Sequence, residues 1–262
     1  MKTYTRAEIM KELDFKVEPK PLYTEDGTRV LKIALMRKDN NACLGVVSPK
    51  YTPVSHVDCF DAVYDNMSRQ FGSKSFKITK FDMPKDGARV YVTFDVDNGI
   101  DILPKDKILP RMTMTNSFDG LLKFGFILGA FRVICSNGLR AGIDMFSMNM
   151  KHMGITGTEI TGQLNIASTS FFDRVVPMYK DMAQIQVENK MIGMQLFHNT
   201  TIPQRMIEEV SAKQPEMLSA WDFYNAFTHH LTHEYKSSFE RGMDFNRQIV
   251  DEFEKVVLCS KI

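Results

Sequence analysis

At 262 residues the chain is long enough for one large domain or two modest ones, and it needs neither a disulfide nor a metal to bury a core. Its 44% hydrophobic and 25% charged residues match the average for globular proteins and argue against a disordered chain. Four scattered cysteines (Cys43, Cys59, Cys135, Cys259), with no C-x-x-C pair, exclude a zinc ribbon and a disulfide scaffold.

The net charge of +1 divides unevenly. Residues 1–157 carry roughly +5 and residues 158–262 roughly −4, the asymmetry expected when one part of a chain faces a polyanion. The opening MKTYTRAEIMKELDF mixes charged with apolar residues and lacks the apolar run of a signal peptide, and no stretch has the length of a membrane span. The expectation is a cytoplasmic protein with reduced thiols and no membrane partner, in which the sequon at Asn199 carries no meaning.

In chain order, the pattern predicts a helix over 5–13 and a Pro-containing extended stretch over 17–22. A turn at Asp26-Gly27 leads into the strand RVLKIALM, and another at Asn40-Asn41 into ACLGVVS. Ser55, with Asp58 three residues on, reads as the N-cap of HVDCFDAVYDNMSRQF, whose Val57, Phe60, Val63, Tyr64, Met67 and Phe71 form one stripe, and Gly72 ends it. SFKITKF and ARVYVTFDV flank Pro84-Lys85-Asp86-Gly87 as a hairpin. Strict alternation on its first arm would put Phe76, Ile78 and Lys80 on one face and Lys77, Thr79 and Phe81 on the other. RMTMTNSF and LKFGFILGAFRVIC read as two further strands joined through Asp119-Gly120, the second interrupted by Gly125 and Gly129. From about residue 158 helical periodicity takes over. Trp221, Tyr224, Phe227, Thr228, Leu231 and Tyr235 mark one amphipathic helix, and Phe245, Ile249, Phe253 and Val256 another.

The fold class is therefore α+β: an N-terminal antiparallel sheet with one packed helix, a β-β-α-β-β-like core, over 1–157, then an α-helical half over 158–262.

No nucleotide-binding loop, nucleophile elbow or H-E-x-x-H zinc pattern is present, so the expectation is a protein without catalytic residues, metal or cofactor. A metal-dependent nuclease is the least favoured alternative. Its ligands would be Asp95 and Asp97 on a strand end, or His229 and His233 one helical turn apart beside His230. Cys135 near Arg132 could be a reactive thiol, although cysteine is more often buried and inert. The eighteen methionines read as core filling. The basic hairpin points elsewhere. Lys74, Lys77, Lys80, Lys85 and Arg89 surround Phe76, Phe81 and Tyr91, and Arg111, Lys123, Arg132 and Arg140 follow on the next strands and turn. Cations interleaved with aromatics can hold a phosphate backbone and stack bases, although charges also blunt sheet edges.

Several segments together resemble a known family. They are Gly45-Val46-Val47-Ser48 with Tyr51, Asn116-Ser117-Phe118-Asp119-Gly120, and Arg132-Val133-Ile134-Cys135-Ser136-Asn137-Gly138-Leu139. Lys151-His152, Trp221, Asn225 to Thr228 and Thr232-His233-Glu234 complete the set. The pattern is similar to the phage/plasmid-like family called domain of unknown function 932, across most of 44–250. Its turn residues would be Asn116, Asp119, Gly120, Cys135, Asn137 and Gly138, with Arg132 as a ligand contact. More faintly, the hairpin–helix–basic hairpin order resembles the single-strand annealing proteins, which include phage Red-beta and the eukaryotic Rad fifty-two protein. That likeness implies a homo-oligomer in the cytoplasm of a bacterial host, binding single-stranded DNA in a basic groove and annealing strands without ATP. A factor that binds and modulates a host defence or replication enzyme is the alternative.

Overall fold

In the computed structural model, residues 2–132, 157–189, 195–237 and 239–261 are described. They form an α+β fold with antiparallel sheets in the N-terminal half and helices in the C-terminal half. Contacts divide them into two compact units: 2–97, 112–126 and 157–166 in the first, and 98–111, 127–132 and the residues from 167 onward in the second.

The first unit opens with α1 (Arg6–Leu13), capped as its sequence requires. The Thr5 side chain accepts from the Glu8 amide while the Glu8 carboxylate accepts from the Thr5 amide at 2.7 Å. Three antiparallel strands follow, β1 (Val17–Tyr23), β2 (Arg29–Arg37) and β3 (Cys43–Val47), in the order β1-β2-β3. Pro19 and Pro21 lie on β1, an edge strand, where a missing amide breaks no ladder. Helix α2 (His56–Phe71) starts at the Ser55 cap and stops at Gly72. The hairpin expected after it is β4 (Phe76–Asp82) and β5 (Arg89–Val96).

These strands belong to a second sheet of order β4-β5-β7-β6, where β6 is Ile100–Leu103 and β7 is Asp106–Ser117; β8 (Gly125–Arg132) also pairs with β7. The two hairpins flanking α2 thus lie in separate sheets. The hairpin β6–β7 is absent from the sequence reading, because Pro104 and Pro110 interrupt its apolar pattern. Its turn works because Pro104 is followed by Lys105 in the left-handed region, the arrangement of a type II turn.

Helix α2 covers β4 and β5. Cys59, Phe60, Val63 and Met67 are fully buried, and Phe60 stacks on Phe94 with ring centroids 5.9 Å apart. The buried stripe therefore centres on Cys59 and Phe60, while Val57 and Phe71 at its ends are only partly buried. A second cluster joins Leu35, Leu44, Val47, Ala88 and Phe118, flanked by Phe15 and Tyr51.

The segment 116–120 locks this cluster with polar bonds. The Asn116 amide donates to the Val54 carbonyl at 2.9 Å and stands 2.9 Å from His56 Nδ1, while His56 Nε2 faces the Gly87 carbonyl at 2.9 Å. The Tyr51 hydroxyl donates to the Ser117 carbonyl at 2.8 Å. Burial first, then the nearby Asp119 carboxylate, pushes that phenol's pKa far up, so it stays a donor. Asp119 accepts from Arg89 Nε at 2.6 Å and from the Leu121 amide at 3.0 Å, and Gly120 takes the positive φ of 73° that the turn needs. Gly45 lies so close beneath this turn that a Cβ would stand 2.5 Å from Asp119 Cα and 2.9 Å from the Phe118 carbonyl oxygen.

The second unit is built around aromatic side chains. Its helices are the end of α3 (Gly157–Ser170), α4 (Val176–Gln184), α5 (Gln204–Ser211), α6 (Ala220–His229) and α7 (Phe239–Cys259). Two short strands, β9 (Gln186–Glu188) and β10 (Met217–Ser219), pair antiparallel among them. Tyr179, Trp221, Phe223, Tyr224, Phe227 and Phe253 are fully buried, and Phe253 meets Phe223, Tyr224 and Phe227 at 5.6 to 6.4 Å between centroids. The Tyr179 and Tyr224 hydroxyls share a hydrogen bond at 3.4 Å, and burial raises the Tyr179 phenol to about 12.

Two π-helical turns interrupt the helices, at Phe171–Val175 and His230–Glu234. The first precedes Pro177. In an unbroken α-helix the proline ring would strike the carbonyl of residue 173, and the wider turn relieves that clash.

Gly45→Ala should cost about 1–3 kcal/mol, because the new methyl meets backbone that cannot rotate away. A urea melt should show a lower midpoint with an unchanged slope.

Candidate functional site

The basic hairpin departs from the alternation its sequence suggests. Register shifts between Ile78 and Lys80, so that Ile78 pairs with Phe94 and Lys80 with the adjacent Thr93. This bulge at Thr79 reverses the alternation. Lys80 leaves the face of Phe76 and Ile78, which are buried, and becomes exposed like Lys77. Lys74 before the strand and Lys85 after it are exposed as well, as is Lys123. Lys77 pairs with Asp97 at 2.9 Å, with both side chains exposed. Such exposed pairs hold their partners weakly, so the ammonium can exchange one anion for another. Asp95 is buried and accepts from the Thr79 hydroxyl at 2.8 Å.

Beside β4 lies a cavity of about 310 Å³ lined by Tyr4, Arg6, Tyr64, Phe76 and Lys77. Tyr4 bridges Ile78 on the open edge of β4 through its amide, 2.9 Å from the Ile78 carbonyl. Its ring meets Phe81 edge-on at 6.0 Å, and the Lys2 ammonium lies 4.7 Å from the ring centre. Arg6 lies 4.7 Å over the Tyr64 ring while paired with Asp61 at 2.8 Å.

The remaining cations stand apart from this row. Arg89 is held by Asp119. Arg111 is half-buried on β7. Arg132 is buried in the second unit, bound in bidentate fashion to Asp106, Nε to Oδ1 at 2.8 Å and Nη2 to Oδ2 at 2.5 Å. Trp221 Nε1 donates to the same carboxylate at 2.7 Å, and Asp222 lies 3.4 Å from Arg132 Nη2. Asp222 is held in turn by the Ser219 cap of α6, its amide donating to Ser219 Oγ at 3.0 Å. Cys135, Asn137, Gly138 and Arg140, with the rest of the Ser-Asn-Gly turn, lie outside the described residues.

Arg132 reaches a cleft of about 430 Å³ formed within the second unit. Asn225, His229 and His230 of α6 and its π turn line one side, and Lys213, Pro215 and Leu218 line another. The π turn, closed by the Tyr235 amide on the His230 carbonyl at 2.9 Å, places Glu234 against three nitrogens. Lys213 Nζ is 2.6 Å away, His230 Nδ1 3.0 Å and His229 Nδ1 3.8 Å. The Lys213 hydrogen bond foremost holds the Glu234 carboxyl below its ordinary range. His229 and His233 face each other with ring centres 4.7 Å apart. Burial, then the His233 neighbour, lowers the His229 pKa below its ordinary 6.5. Among the described residues no group of three or more His, Cys, Asp or Glu side chains is arranged to hold a metal ion.

The sequence reading singled out Arg132 and His229, but not Asp106, Lys213 or Glu209, which partner them or their neighbours. Asp106 follows a Pro-Lys pair, and Lys213 follows a helix of ordinary composition. Only the solitary Trp221 carried a signal, as the single tryptophan in an apolar stripe.

The profile of the family described as domain of unknown function (DUF932) matches residues 43–252, and the chain belongs to that family. No solved structure matches the chain. No helix among the described residues is long and apolar enough to cross a membrane.

Asp106→Ala should cost about 3–5 kcal/mol, because it leaves the Arg132 charge buried and unpaired, while Asp106→Leu combined with Arg132→Met should cost much less. Chemical denaturation of both variants separates these outcomes. His229 resists protonation in the folded state, so the unfolded chain binds the proton first as pH falls. Its contribution is therefore complete above 6.5 and lost as pH falls below that value. Melts across this range should show a smaller acid-side loss in His229→Gln than in the parent.

Proposed function

We propose that this member of the family binds single-stranded DNA and promotes strand annealing as a homo-oligomer, a reaction that base pairing drives without a cofactor. The observation that carries the reading is the pairing of two features on one strand. The bulge at Thr79 turns Lys77 and Lys80 outward together, and a cavity lined by Tyr4, Tyr64 and Phe76 lies directly beside Lys77. Cations that follow a phosphate backbone, next to rings on which bases stack, are the elements of sequence-independent single-strand binding.

The buried cations take a different part. Arg89 and Arg132 are each satisfied by a carboxylate and serve the fold. The DNA contacts on this reading come from Lys74, Lys77, Lys80 and Lys85, with Lys123 as a further exposed cation.

Fluorescence anisotropy with a labelled oligonucleotide tests the reading. Affinity should fall steeply with salt, and Lys77→Ala and Lys80→Ala should each flatten the log–log slope by about 0.7. Tyr4→Ala should weaken binding by about 1–3 kcal/mol while leaving the slope in place, because stacking releases no counterions. Absence of binding at micromolar protein in low salt would sink the proposal.

A further inference from the structure

The cleft of the second unit carries an inference that is independent of the nucleic-acid reading. At one end Glu234 lies in a cradle of Lys213, His230 and His229, at 2.6, 3.0 and 3.8 Å. At the other end is the guanidinium of Arg132, held rigid by Asp106 and Trp221. Leu218 and Pro215 give the space between them an apolar wall. At about 430 Å³ it falls within the size range of small-molecule sites.

A carboxylate supplied by the chain's own helix end occupies the place where an anion would bind. Glu234 is held there by the π turn, a rare form of helical turn that recurs at functional sites. Its side chain is also more than a third exposed, so it can swing out to solvent. His230 behaves differently. Its ring is buried, with Nδ1 3.0 Å from Glu234 and Nε2 3.6 Å from Glu209.

We propose that this cleft binds a small phosphomonoester of about nucleotide size. Its phosphate displaces Glu234 from Lys213, His229 and His230, and its organic part lies along the apolar wall toward Arg132. A phosphate suits the cradle better than a carboxylate, because three converging donors match its three terminal oxygens. Glu234 then acts as an internal competitor that excludes weakly charged ligands.

Calorimetric titration of the full chain with adenosine monophosphate, adenosine and inorganic phosphate tests the proposal. The parent should bind the monophosphate, and adenosine should not bind. Glu234→Gln should bind the monophosphate about tenfold more tightly, since the competing charge is gone. Lys213→Met should lose binding. Both variants should melt like the parent, because both side chains lie at the surface and their pair is exposed. A Glu234→Gln protein that folds and binds no more tightly than the parent would overturn the proposal. So would equal binding of adenosine and its monophosphate, or an unaffected Lys213→Met. Binding of inorganic phosphate more weakly than the monophosphate supports the apolar wall's part, and equal binding of the two rules it out.

Discussion

The first unit depends on how one buried amide finds its partners. Asn116 is wholly buried on β7, and an amide in such a place is costly unless it is bonded. Its Nδ2 reaches the chain just before α2 and the first residue of that helix. His56 passes the connection on to Gly87 in the turn of the basic hairpin. One side chain thus ties the helix that covers β4 and β5 to the strand beside them, and through His56 to the turn that joins them. Tyr51, Ser117, Arg89 and Asp119 repeat the pattern around the same segment, and Gly45 lets β3 come close enough to cover it. The segment 116–120 is therefore a fastening. Removing any one member leaves a buried donor or acceptor unmatched, which costs more than the bond itself contributed.

The second unit solves a related problem with charge. Arg132 and Asp106 are both almost fully enclosed. Their attraction offsets desolvation only because the geometry is bidentate and Trp221 takes up remaining capacity on the carboxylate. A buried pair of this kind fixes position more than it adds stability. Here it fixes a guanidinium at the wall of a cleft whose opposite end carries Lys213 and two imidazoles. Arg132 thus combines a structural role with a place at the cleft wall.

Much of the fold was legible in the sequence, and the reasons are local. The Ser55 cap, the Gly72 stop and the turn residues at Asp26-Gly27 and Pro84 to Gly87 each act within a few residues of themselves, and each stands where the sequence places it. The same locality explains the misses. The Thr79 bulge depends on how β4 meets β5, so strict alternation mispredicted the direction of Lys80. The hairpin over β6 and β7 is hidden by its prolines. Strands β9 and β10 are too short to show a period. At the sites, cations could be read as cations, but not whether a carboxylate already held them. Lys77 and Lys80 look like Arg89 and Arg132 in a composition, yet the first two are exposed and the last two are bound beneath the surface.

The fastening at Asn116 also has a consequence in time. Its bonds to Val54 and His56 span 62 and 60 residues, and the Tyr51 bond to Ser117 spans 66. The hairpins β1–β2 and β4–β5 need only nearby chain and can form as soon as they leave the ribosome. The bonds at Asn116 wait until the chain has passed through 98–111, which belongs to the other unit, and returned. Loop closure over such distances is slow. During synthesis Phe118 is therefore the last member of the cluster around Leu44 and Val47 to emerge. Transiently uncovered apolar surface of this kind is where association during folding begins.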